Sequence, residues 1–217
     1  MKRLFLFTMM CLFGLFGLNA QTQVDAQIGE GTTSQSYIPS HEYYKYCVSQ
    51  QIFTAEEMQN LEGTISSVAF KLVNASSFTR NFVVYMSNTD KEMYASTYDF
   101  VPVAESDLVF SGNVNYANAQ DGLVKIEFTT PFEYTGGNLM VCIHDKTNAY
   151  VNAPILSSNY STGATRRSIA GFDYAAFDAY SIPEGLFLPY LDQTDFYNPL
   201  TAFEITAGGE GGGETPE

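Results

Sequence analysis

Apolar runs, of period two or short and unbroken, each closed off by Gly, Asn, Asp, Ser or Pro, recur along this chain at 45–53, 64–73, 81–86, 108–114, 123–128, 139–144 and 202–205. That repeat sends alternate side chains to opposite faces of an extended strand and does not build the single apolar stripe of a helix. No long amphipathic helical stretch separates the runs, so the strands are expected to pair antiparallel rather than through helical crossovers. The expectation is an all-β fold, an antiparallel jelly-roll-like β-sandwich. The aromatic and β-branched residues of FKLV (70–73) and FVVYM (82–86) suit a pleated, half-buried surface. Asp121-Gly122 marks a tight hairpin turn before the run at 123, and Gly136-Gly137 marks another before the run at 139.

One short helix is expected at 54–62, directly after the first run. Thr54 and Glu57 have the spacing of a capping box, Glu56 and Glu57 complement the positive end of a helix dipole, and Gly63 suits a left-handed stop. A strand plugged at the sheet edge by such a helix is a structural device.

The first twenty residues read as a signal peptide: basic Lys2 and Arg3, an apolar run from Leu4 to Leu18, then Asn19-Ala20. The run is shorter than the roughly 20 residues a membrane-crossing helix needs, so export with cleavage near Ala20 is expected and no membrane span is. The domain proper is expected over 21–206. Residues 207–217, rich in Gly and Glu, read as a flexible tail or a linker to a neighbouring extracellular module. The chain carries 10 basic and 24 acidic residues; without Lys2 and Arg3 the basic count falls to 8, a charge of −16. Such a surface repels phosphate backbones, which excludes nucleic acid as a partner.

Outside the leader two cysteines remain, Cys47 and Cys142, and an even pair in an exported chain is a candidate disulfide. Closing so long a loop would contribute roughly 4 to 5 kcal/mol on chain-entropy grounds. Both also lie in apolar runs, where a free thiol behaves as a small hydrophobe.

No residue constellation names a reaction. His41-Glu42-Tyr43-Tyr44-Lys45 opens like a zinc-protease helix, but Lys45 stands where the second histidine ligand must be. Cys142 and His144 share a strand face two residues apart without a third group to orient them. Carboxylates are plentiful enough for a glycan hydrolase, which needs two across a cleft, but one sequence does not show such a pair. They also leave room for a structural calcium assembled from several loops. No metal site, catalytic residue or cofactor is otherwise indicated, and no enzymatic activity is expected.

The best kit for recognition lies in the loosely patterned, Pro-rich region 148–199. Aromatic rings there, Tyr174, Phe177, Tyr180 and Tyr190 with Phe196 and Tyr197, alternate with Asp173, Asp178, Asp192 and Asp195. Rings that stack on the apolar faces of sugars, flanked by carboxylates that bond hydroxyls, make a carbohydrate site; the same rings in loops also serve to pin a loop to its core. The chain has no tryptophan.

The segments IGEGTTSQSYIPSHEYYKY (28–46), SQQIFTAEEM (49–58), ISSVAFKL (65–72), TRNFVVYMSNTDKEMY (79–94), YDFVPV (98–103), LVFSG (108–112) and TPFEYTGGNL (130–139) resemble an extracellular β-sandwich domain. It is found in secreted surface proteins of Bacteroidetes-type bacteria, often beside fibronectin type III, immunoglobulin-like or C-terminal sorting modules. It resembles adhesin-like regions of the gingipain-haemagglutinin group. The resemblance runs from Ile28 to Asp145. Around Asp99 to Val101 and Asn118 to Leu123 the chain lacks tryptophans that relatives show, and it departs from Tyr150 onward. The resemblance implies a secreted or cell-surface, adhesin-like module without catalytic residues, whose partners are glycans or host or cell-surface proteins. A purely structural spacer in a multidomain surface protein is the alternative.

Overall fold

The computed structural model describes residues 23–31, 33–74, 77–151, 157–163, 165–183, 186 and 197–207. Twelve strands run β1 (Gln23–Ile28), β2 (Thr33–Gln35), β3 (Tyr46–Phe53), β4 (Gly63–Lys71), β5 (Thr79–Thr89), β6 (Leu108–Asn115), β7 (Leu123–Tyr134), β8 (Asn138–Asp145), β9 (Ser157–Ser161), β10 (Ser168–Asp173), β11 (Tyr197–Pro199) and β12 (Thr201–Ala207). They form a four-stranded sheet β1-β12-β4-β7, a five-stranded sheet β10-β3-β8-β5-β6 and a small sheet β11-β9-β2, every pairing antiparallel. If β1, β3, β4, β5, β6, β7, β8 and β12 are ranked first to eighth, the four-stranded sheet reads 1-8-3-6 and the five-stranded sheet, apart from its edge strand β10, reads 2-7-4-5. That interleaving of two four-stranded sheets is a jelly roll. Residues 1–22 and 208–217, which hold the expected leader and tail, lie outside the described residues.

The core between the sheets is built from the inward-facing half of each alternating strand, with Phe53, Ile65, Val68, Phe82, Met86 and Phe203 buried together. Phe53 and Phe203 meet edge to face across it, centroids 5.2 Å apart. A second apolar layer lies on the outer face of the five-stranded sheet. Val48, Val83, Tyr85, Met140 and Cys142 are covered there by loop residues, Phe100, Val101 and Val103 on one side and Phe177, Ala179, Ile182 and Leu186 on the other. Double-sided burial explains why β8 reads as an unbroken apolar run instead of an alternating one. The loop is tied down by a reciprocal pair: Gln50 Nε2 donates to Val101 O at 2.7 Å and Val101 N donates to Gln50 Oε1 at 2.8 Å.

Two local expectations are corrected. The segment 54–62 is a turn, not a helix. Its capping box does form, Thr54 N donating to Glu57 Oε2 at 2.9 Å and Glu57 N to Thr54 Oγ1 at 3.3 Å, and Met58 N closes one helical turn onto Thr54 O at 2.9 Å. Gln59 and Asn60 then go left-handed, φ +57° and +52°, so the chain reverses to enter β4 with Met58 sealed in the core. Gly63 is not a helix stop. Its φ is +147° and an added Cβ would stand 2.2 Å from Thr206 O, so it admits the close approach of β12. Asp121 and Gly122 do form the expected tight turn, both left-handed and closed by Gln120 N donating to Leu123 O at 3.0 Å and Leu123 N to Gln120 O at 2.8 Å; the pairing stops at that bridge, because β6 and β7 belong to different sheets.

The two cysteines are free and buried. Adjacent strands carry them, yet Cys47 stands opposite Asp145 while Cys142 stands opposite Gln50. An offset of three residues is odd and therefore points them to opposite faces of the sheet. Cys47 enters a cluster with Ile38 and Phe172, and Cys142 faces the outer loops.

Candidate functional site

The register of β3 and β10 sets Tyr46 opposite Asp173 and Cys47 opposite Phe172, so the residues just beyond these ends, Tyr44 and Tyr174, meet at one pole of the sandwich. On the other side of β3, β8 ends at Asp145 opposite Cys47. The chain beyond it folds back, with Asn148 N donating to Lys45 O at 3.0 Å and Val151 N to Glu42 O at 2.9 Å, and so delivers Tyr150 to the same pole.

The result is a layered aromatic cluster. Phe172 is fully buried at its base, with Tyr44 stacked on it at 5.2 Å and 16° and His41 edge-on at 4.9 Å. Tyr174 leans on Tyr44 at 5.1 Å, Tyr43 meets Tyr44 at 5.7 Å, and Tyr150 stands between Tyr43 and Tyr174, 6.4 Å from each. Four tyrosine rings therefore form a closed circuit. Three of them keep about half their surface in solvent: Tyr43 at 43 %, Tyr150 at 53 % and Tyr174 at 50 %. Burying such rings would be favourable, so leaving three adjacent ones open creates a ready contact surface.

Beneath it lies a charged group sealed from water. Arg80, on β5, contacts Asp145 through Nη2 at 2.6 Å and Nε at 2.8 Å. Asp145 also accepts from Ser40 Oγ at 2.7 Å and from Thr147 N at 2.9 Å. The guanidinium has two further acceptors, Ala149 O at 3.0 Å and Tyr44 O at 3.4 Å. Glu42 is buried beside the pair. Its Oε1 accepts from Tyr116 Oη at 3.0 Å, and Oε2 has no partner among the described residues. Burial raises the Glu42 carboxyl to about 8. Burial, then the nearby Arg80 charge, lowers His41 to about 4.

The residues expected to form one site are dispersed. Tyr174 joins the exposed cluster. Asp173 beside it is spent on a turn, its Oδ1 accepting from Ala175 N at 3.0 Å. Phe177 stacks on His144 at 5.0 Å under the outer loop, and Tyr180 leans edge-on against Tyr85 at 5.6 Å. Asp178 likewise closes a turn by accepting from Tyr180 N at 3.0 Å. Tyr197 lies in β11, away from the cluster. Tyr190, Asp192, Asp195 and Phe196 lie outside the described residues. Tyr43, Tyr44 and Tyr150 were missing from the expected set; the visible signal was the aromatic run Tyr43-Tyr44-Lys45-Tyr46 next to a strand start.

Among the described residues, the one thiol and imidazole that share a strand face are not poised to react. Burial pushes the Cys142 thiol up to about 12 and lowers the His144 imidazole to about 4, so neither is in the form a thiolate–imidazolium pair requires. Among the described residues no group of three or more His, Cys, Asp or Glu is placed to hold a metal ion. No helix of the described chain is long and apolar enough to cross a membrane. A shallow groove of about 570 Å³ on the outer face of the four-stranded sheet has a floor of Ser67, Ala69 and Ala202. Its charges answer one another, Lys125 bonding both Glu127 and Glu204 at 2.7 Å.

Fold and surface together define an antiparallel jelly-roll domain with an exposed tyrosine cluster at one pole. Comparison of the chain with protein-family profiles, with curated proteins and with solved structures finds no match in any of the three.

Proposed function

We propose that this chain is a non-catalytic recognition module of a secreted or cell-surface protein, and that it binds carbohydrate, as an adhesin does, through Tyr43, Tyr150 and Tyr174. The observation that carries this reading is the half-exposure of three adjacent phenol rings above a buried aromatic base. Such rings offer flat faces to the C–H side of a sugar and hydroxyls to its polar edge, at little entropic cost because Tyr44 already braces Tyr43 and Tyr174, and Tyr150 leans on those two. The resemblance to Bacteroidetes-type surface domains and the leader-like first residues favour the same setting.

The test is binding of purified residues 21–217 to an array of surface and host glycans, followed by titration of any hit. Each of Tyr43→Ala, Tyr150→Ala and Tyr174→Ala is expected to weaken binding about 3- to 10-fold, the scale of one aromatic contact. Tyr180→Ala, equally exposed but on a different face, is expected to leave it unchanged. Absence of binding across the array would favour the spacer reading, in which the rings seat a neighbouring module. Release of shortened glycan would favour the hydrolase.

A further inference from the structure

The exposed rings Tyr43 and Tyr150 sit on two short segments, 41–44 and 148–151, neither of which is part of a strand. Sheet pairing therefore does not fix them, yet one buried cluster reaches both. Arg80 donates to Tyr44 O in the first segment and to Ala149 O in the second, while Asp145 and β5 hold it in place. Glu42 makes the reverse link: its main-chain oxygen accepts from Val151 N, and its side chain accepts from Tyr116 Oη. We propose that the Arg80–Asp145–Glu42 cluster is a proton-operated clamp on the tyrosine surface, closed while the Glu42 carboxyl carries a proton and released when that proton leaves to solvent. This rests on the reading of the surface as the binding site.

The physical argument is one of charge count. Arg80 and Asp145 neutralise each other, and a neutral Glu42 leaves the buried cluster neutral. An ionised Glu42 adds a second carboxylate charge to a site with one guanidinium, already committed to Asp145 and two carbonyls, and its Oε2 meets no donor among the described residues. The groups that face Glu42 are Arg80 from β5, Asp145 from β8, Tyr116 from the turn after β6 and Cys47 from β3, with His41 adjacent in sequence. Burial raises Tyr116 and Cys47 well above their ordinary range and keeps His41 neutral, so Glu42, at about 8, is the group of this set that ionises first above neutrality. The least costly way to hydrate its charge is for 41–44 to swing outward, which carries Tyr43 away from Tyr150.

The experiment is amide hydrogen exchange of the chain at pH 6.5 and pH 9, corrected for the intrinsic rate. It is followed at 41–46 and 147–151 with β4 as the internal control, and it is repeated with Glu42→Gln, which keeps the shape and cannot ionise. The expected result is a protection loss of at least about 10-fold in both segments of the wild type at pH 9, none in β4, and none in Glu42→Gln. Unchanged wild-type protection overturns the clamp without need of any variant, and so does a Glu42→Gln protein that loosens as the wild type does. Glycan titration at the same two pH values separates the two ideas. If the segments loosen as expected while no glycan binds at either pH, the clamp stands and the assigned function falls.

Discussion

His41 and Glu42 are neighbours in sequence, both buried, and burial moves them in opposite directions, which makes stability depend on pH in a definite way. His41 and His144, lowered from 6.5 to about 4, contribute stability that is complete above pH 6.5 and lost as pH falls through 4. Glu42, raised from 4.5 to about 8, contributes stability that is complete below pH 4.5 and lost as pH rises through 8. Between pH 4.5 and 6.5 two histidines outweigh one carboxyl. The expected stability maximum is therefore near pH 6.5, with a fall of up to about 2 kcal/mol by pH 8. Urea unfolding across that range should show the alkaline decline in the wild type and its disappearance in Glu42→Gln. A stability still rising from pH 6.5 to 8 would contradict the assignment. The Arg80–Asp145 pair is the other residue-scale lever. Arg80→Met leaves Asp145 buried without its cation and is expected to cost about 3–5 kcal/mol, read from the shift in urea midpoint; a loss below about 1 kcal/mol would mean the pair is hydrated in solution.

At the scale of elements, the capping box of Thr54 and Glu57 shows how a correct local signal supports a wrong element. Both of its hydrogen bonds exist, but the segment has one turn in which to reverse direction, and Gln59 and Asn60 take the left-handed conformations that end it. Thr54→Ala is still expected to cost about 1 kcal/mol, because the cap holds the reversal itself. Gly63→Ala combines a left-handed φ with a Cβ driven onto Thr206 O, and a loss of at least about 1–3 kcal/mol is expected in the same assay. The seven apolar runs all became strands, since each carries enough apolar residues to bury a face. The strands at 23–28, 157–161 and 168–173 were not legible. Ser and Asn dominate β9, whose pairing is dictated by the sheet edge it joins rather than by an apolar face of its own; β1 does alternate, through Val24, Ala26 and Ile28, and buries Ala26 and Ile28 in the core, but the run is short and stands beside the leader-like segment. The site was legible only in part for the same reason. Tyr174 stood out by its loop, whereas Tyr43, Tyr44 and Tyr150 become neighbours only through the register of β3 with β8 and β10.

For the molecule as a whole, the jelly roll leaves β3, β8 and β5 covered on both faces, and this decides the behaviour of the thiols. Cys47 and Cys142 are fully buried on opposite sides of one sheet, so purified residues 21–217 are expected to resist a thiol reagent when native and to take up two equivalents once unfolded. A mass two hydrogens lower without reductant would instead show them joined. The same coverage separates Tyr174 from Phe177 and Tyr180: the loop that carries the latter two lies over the sheet and works as a lid for its outer face.

The pairing of β1 with β12 sets Gln23 beside Thr206, and Ala207 lies beside Gly63, at the pole where β3 has already run its course and turned back. The tyrosine circuit crowns the pole where β3 begins. Eight extended residues separate the two, about 26 Å at the rise of a strand. A tether joined through either flanking strand would therefore hold this protein by its heel, with the aromatic rings presented outward at the tip.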